Sequence, residues 1–146
     1  TSWKPMTSSI FGRVTRLRVN KHGAGLSLVE FDDGFAYPGE VYLLDLGGAK
    51  TERIFREAER AVTDVYSLDD GTFLLAAIET LGKLRTAPIP GKVHFLRGGK
   101  SGQWTEMPVD YRVTARRVSF FAAPGGWPMA VTDSGMVLRL GPEAGR

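Results

Sequence analysis

Short runs of strand-forming residues recur along this sequence, and their recurrence restricts its folds more than any other feature. Three runs of mixed character, TRLRV, TDVYSL and RRVSFF, centre on Leu17, Val65 and Val118, spaced 48 and 53 residues apart. Each is followed by a more apolar run: LSLVEF, TFLLAAI and WPMAV. Third runs follow as EVYLLDL, KVHFLR and MVLRL, with Tyr42, His94 and Val137 separated by 52 and 43 residues. A fourth run appears twice, as TERIF and QWTEM, with Glu52 and Trp104 lying 52 residues apart. No fourth run follows Leu140 within the 146 residues.

The residues between the runs agree with strands. The 18 glycines and 8 prolines are spread along the whole length. Glycine permits turns at positive φ, while branched and aromatic residues suit a pleated surface. One stretch competes, TERIFREAERAV from Thr51 to Val62, whose charged middle (Arg56 to Arg60) reads as a loop with brief helical character. Nothing else sustains a helical period. The expected fold is therefore all-β. It is one domain over residues 1–146, built from three four-stranded antiparallel units at roughly 10–58, 59–110 and 111–146.

Two glycine-lysine stretches, DLGGAKTERIF and FLRGGKSGQWTEM, look at first like anion-binding loops. A phosphate cradle needs G-x-x-x-x-G-K-S/T running into a helix, so that main-chain amides converge on the anion. Here a strand follows and the spacing differs. Both stretches read as hairpins.

A unit of about 45 to 50 residues has the size of a propeller blade. The stretches DVYSLDDGTFLLAA, RGGKSGQWTEM and VSFFAAPGGWPMAVTDSGMVLRL resemble BNR or Asp-box repeats, particularly those of photosystem-II-assembly-factor-like proteins. The resemblance is clearest from Thr63 to Leu140 and weaker from Arg13 to Phe55, and Arg97 or Gly98 stands at the place of the Asp-box aspartate. It implies a blade-like, partial or open propeller. Closed propellers use about four to eight blades, and an open row leaves sheet faces and edge strands bare. The N-terminal segment TSWKPMTSSIFG is expected to complete the last blade beside MVLRL, with the remaining faces covered by another copy or another protein.

Composition excludes several classes. No apolar run approaches the roughly 18 residues of a membrane span. The net charge of +3 is mild and its basic residues are interspersed with acids, which disfavours nucleic acid. There is no cysteine, hence no disulfide, thiolate nucleophile or cysteine zinc site. The first residue is Thr1 and no signal peptide is visible, so export stays open.

Catalytic chemistry finds little support. His22 lies in a turn, NKHGAG, and His94 alternates with Val93 and Phe95 as a strand residue with satisfied ring nitrogens. No His/Asp/Glu cluster has metal-ligand spacing, so neither a metal nor a cofactor is expected. Asp32-Asp33-Gly34 and Asp69-Asp70-Gly71 read as hairpin turns, since Asp tolerates left-handed geometry and Gly removes side-chain crowding. BNR repeats also occur in sialidases, but Arg13, Arg16 and Arg18 form a local stripe, not a triad gathered from separate blades. No G-x-S-x-G elbow occurs.

What remains is recognition. Loops joining second to third strands, and last strands to the next unit, emerge together at one end. They carry Phe35, Tyr37, Arg56, Glu57, Glu59, Arg60, Leu84, Arg85, Tyr111 and Arg112. Aromatic residues and arginines anchor protein interfaces, because they desolvate large surfaces while keeping directional polar contacts. Trp104 and Trp127 read as core packing. The expected function is non-enzymatic protein binding. By likeness to small exported blade-repeat proteins, it is that of a bacterial immunity or assembly protein, in the periplasm or otherwise exported. The partner would be a protein such as a co-encoded secreted effector, with homo-oligomers also allowed. The competing expectation is a carbohydrate-binding or sialidase-like BNR module.

Overall fold

The computed structural model describes residues 1–5, 10, 12–31, 35–47, 50–80, 90–99, 103–124 and 127–141. The described residues form twelve strands: β1 (Arg13–Val19), β2 (Ala24–Glu30), β3 (Gly39–Asp45), β4 (Lys50–Arg56), β5 (Arg60–Ser67), β6 (Phe73–Glu79), β7 (Gly91–Gly98), β8 (Trp104–Met107), β9 (Thr114–Ala115), β10 (Val118–Phe121), β11 (Met129–Thr132) and β12 (Val137–Arg139). They make three antiparallel sheets: a four-stranded β1-β2-β3-β4, a five-stranded β5-β6-β7-β8 with β9 also on β7, and a three-stranded β10-β11-β12. No helix occurs among the described residues, so none is long and apolar enough to cross a membrane.

The first sheet has the expected four strands, while the second has five and the third three. The extra strand is β9, which pairs Ala115 with Gly91 and Thr114 with Lys92 beyond the end of β8, where β7 would otherwise expose an edge. Among the described residues the third sheet stops at β12. Thr1–Pro5 lie in no strand and are exposed, so the described N-terminal residues do not complete it. The stretch Arg56–Arg60 makes no helical turn: β4 runs through Arg56, three residues reverse the chain, and β5 begins at Arg60.

Turn chemistry explains the hairpins. Asn20 Oδ1 accepts from the amides of His22 (2.9 Å) and Ala24 (3.0 Å), and Gly23 takes a φ of 80° that a side chain would oppose. At Asp69-Asp70-Gly71, Asp70 Oδ1 accepts from Thr72 N at 2.9 Å, and the turn reading holds. Asp32-Asp33-Gly34 lies outside the described residues. The strands β7 and β8 are antiparallel, so RGGKSGQW joins a hairpin and not a strand to a helix.

The sheets stack face on face. One apolar core joins the first sheet to the second through Leu26, Leu28, Leu43, Phe55, Leu75 and Leu96. A second joins the second sheet to the third through Leu74, Ala76, Val93, Val118, Phe120 and Ala130. The run FLLAAI in β6 is buried throughout, because alternate residues serve opposite cores.

The first strands β1, β5 and β10 are the free edges of their sheets and lie together. Between them sits Asp64, wholly buried. Its Oδ2 accepts from Arg18 Nη2 (2.9 Å) and Phe120 N (2.7 Å), and its Oδ1 from Val65 N (2.8 Å). Arg18 also donates to the carbonyls of Val65 and Phe120, each at 3.1 Å. A bulge between Val62 and Asp64 releases Thr63, whose hydroxyl donates to Val118 O (2.9 Å) and accepts from Val118 N (3.1 Å). Side chains of two sheets thus satisfy the edge of the third. Stripping a buried charge from its partners costs about 3–5 kcal/mol. Asp64→Ala is expected to lose that much stability, read as a fall in the urea midpoint. A loss below about 1 kcal/mol, the size of an ordinary substitution, would show the contact to be dispensable.

Candidate functional site

In an antiparallel meander alternate connections leave from one end, so the β2–β3, β4–β5, β6–β7 and β11–β12 links share an end of the stack, whereas β8 and β9 both run antiparallel to β7 and the link between them lies along the β7 edge. Phe35 stacks on Phe31 with centroids 5.2 Å apart and stays half exposed. Tyr37 lies under Arg56, whose guanidinium carbon is 4.4 Å from the ring centroid. Arg56 and Arg53 each donate to Glu40 Oε2 at 3.3 Å, and the Tyr42 hydroxyl donates to Glu40 Oε1 at 3.0 Å. Burial, and then the bonded Glu40 carboxylate, push the Tyr42 hydroxyl above its usual range.

Across the β4–β5 turn begins a second group. Arg60 grips Glu57 with Nε and Nη2, both at 2.7 Å, and reaches Glu106 Oε1 at 3.5 Å. The ring of His94 stands between two carboxylates, with Nε2 3.1 Å from Glu79 Oε1 and Nδ1 against Glu106 Oε1. The hydrogen bond from His94 holds the Glu106 carboxyl below its usual range. Glu59 is exposed, and its carbonyl accepts from Thr80 N (2.9 Å) and Thr80 Oγ1 (3.1 Å).

A third group is self-contained. Asp110 accepts from Arg112 N (2.9 Å), Nε (3.0 Å) and Nη2 (2.7 Å), and Arg112 lies 6.0 Å from the centroid of Tyr111. Tyr111 is 76% exposed, the most open of the four tyrosines. Of the residues singled out from sequence, the structure pairs Tyr37 with Arg56, Glu57 with Arg60, and Tyr111 with Arg112, and stacks Phe35 on Phe31. Leu84 and Arg85 lie outside the described residues.

Glu40, Arg53, Tyr42, Glu79 and Glu106 were missed by the sequence reading. Their signal was present but local: Glu40 and Tyr42 are two apart on one strand, and Arg53 pairs with Tyr42 across the hairpin. His94 proves satisfied, as its strand position implied. Among the described residues no group of three or more His, Cys, Asp or Glu is placed to hold a metal ion. Trp104 packs edge-on against Phe55, and Trp127 lies just before β11 beneath Arg97.

A separate pocket of about 390 Å³ opens between the second and third sheets, lined by Phe95, Met107, Val109, Phe120, Leu138 and Leu140 among others.

No known family profile matches the chain, and no curated protein matches it. Among solved structures it is similar to the endo-arabinase from Bacteroides thetaiotaomicron VPI-5482, at 16% sequence identity and a TM-score of 0.49. The likeness covers 90% of this chain and 56% of the length of that one.

The three bonds from Arg112 hold the Asp110 carboxyl down at about 2. A carboxylate depressed in the folded state contributes fully above the ordinary carboxylate range, and loses that contribution as pH falls from there toward and through the folded value. NMR titration of the side-chain carbon should therefore find a midpoint near 2, and Arg112→Ala should raise it toward the ordinary range, the main-chain bond from position 112 remaining. A midpoint near the ordinary value in the unmodified chain would contradict the pairing.

Proposed function

We propose that the chain is a non-enzymatic protein-binding module whose partner docks on the loop end. The observation that carries the reading is the pairing of arginine with tyrosine, Arg56 over Tyr37 at that end and Arg112 beside the exposed Tyr111 on the adjoining β7 edge. Each pair holds a planar cation against a ring before any partner arrives, so little rotamer freedom remains to be lost on binding. Tyrosine and arginine are also the residues that dominate binding energy at interface centres.

The stacked sheets support a propeller-like arc of three blades of BNR type. With that arc, the more particular reading is an exported immunity or assembly protein that covers a functional surface of its partner. A carbohydrate-binding module is the second reading, and what favours it is the same Tyr111, since an open phenol ring also offers a stacking face to a sugar.

The test is calorimetry with candidate partners encoded beside this chain, followed by substitution. Tyr111→Ala with Arg112→Ala is expected to weaken a partner at least about tenfold, equivalent to roughly 1.4 kcal/mol. Unchanged affinity would overturn the reading. Binding on a glycan array with no protein partner would favour the second reading.

A further inference from the structure

The third sheet ends in an edge. Leu96 of β7 pairs with Leu75, as Leu138 of β12 pairs with Ala130, and each lies in the core toward the preceding sheet. Thus β12 corresponds to β7, and the strand corresponding to β8 is missing among the described residues. In the second sheet that strand brings Trp104, which meets Phe55 of the first sheet edge-on at 5.9 Å and donates from Nε1 to Ile54 O at 2.9 Å. Met107 pairs with Phe95 as Phe55 pairs with Val41, so Met107 is the second sheet's counterpart of Phe55. It lines the 390 Å³ pocket, at the place where a missing tryptophan would rest.

We propose that the β12 edge and this pocket are completed by the N-terminal arm of a second copy of the chain, with Trp3 as the plug. Trp3-Lys4-Pro5-Met6 repeats the Trp-x-x-Met spacing of Trp104–Met107. Trp3 is fully exposed, which for an indole forgoes a large apolar burial. Pro5 confines the arm to an edge position, which a fourth strand has. Carrying over the pairs Gly98–Trp104 and Leu96–Glu106 sets Trp3 opposite Leu140 and Ser2 opposite Gly141. One difference follows. A side chain at Gly98 would come within 2.6 Å of the Trp104 ring, which lies against that glycine. Leu140 holds the equivalent place, so the Trp3 ring enters the pocket beside it. A cavity of about 150 Å³ already takes a benzene ring, and 390 Å³ is ample for an indole.

Two observations point to another copy over the arm's own third sheet. The arm enters β1, in the first sheet, and the second sheet stands between that sheet and β12. Both outward faces of the stack also carry exposed apolar side chains: Leu17 and Val19 on one, and Phe121 and Val137 on the other, each of the four more than half exposed. Two copies that exchange arms reciprocally bring unlike ends together twice and close without a leftover edge. Ten extended residues reach about 33 Å, enough to cross into a neighbour. The loop-end reading is not needed for any of this.

The natural chain contains no cysteine, so Ser2→Cys with Gly141→Cys in the full chain provides a clean crosslink. Oxidation is expected to give a covalent dimer on a non-reducing gel. The unmodified chain should sediment as a dimer, and Trp3→Ala should raise its dissociation constant at least about tenfold with an unchanged circular dichroism spectrum. A monomeric intrachain disulfide would overturn the proposal, showing that the arm folds back on its own sheet. So would an unmodified chain that stays monomeric at roughly 100 μM, or a Trp3→Ala chain that dimerises undiminished. The last two need no cysteine variant to fold.

Discussion

A single buried carboxylate holds the first strands of three sheets in one arrangement. Among the described residues neighbouring sheets have no main-chain ladder between them, so their edges must find donors and acceptors elsewhere. Asp64 and Thr63 from one sheet and Arg18 from another supply them to Val118 and Phe120 of the third. The charge is tolerated in the interior because an arginine and two amides surround it. Arg18 and Phe120 are 102 residues apart, so the contact forms only when most of the chain is in place. Each meander is local, but their mutual register is not. The molecule therefore combines quick hairpins with a late, long-range closure.

The counterpart of Thr63 in the first sheet shows how particular that solution is. Thr15 sits at a bulge between Val14 and Arg16, yet its hydroxyl is buried without a hydrogen-bond partner among the described residues. The same local sequence, Thr followed by a charged residue, gives a bonded edge in one sheet and an unsatisfied hydroxyl in the other.

Much of this was legible in the sequence where a residue's environment depended on its near neighbours. The strand runs, the Asp70 turn and the hairpin before Trp104 follow from alternation and turn chemistry alone. Arg16 and Arg18 were visible as a stripe on one strand face, but not that both turn toward Asp64, because that acid lies in another sheet. Strand β9 was hidden for a similar reason: two residues carry no period, and only the uncovered end of β7 gives them a role. At the loop end the arginines and tyrosines could be named, but not their sorting into pairs. Glu40 and Glu79 looked like ordinary strand acids until the fold set them beside cations or an imidazole.

Strand β6 is a wall shared by two rooms. Phe73, Leu75 and Ala77 face one interior, and Leu74, Ala76 and Ile78 the other. At its middle two methyl groups, Ala76 and Ala77, stand back to back with no solvent exposure, and they set how closely each flanking layer approaches. Descendants of this chain are free to lengthen their surface connections at small entropic cost. Enlarging either alanine would push apart the layer it faces, and enlarging both would demand that two interiors be refitted together. Sequence drift should therefore be slowest at this dipeptide, although neither residue bears any chemistry of its own.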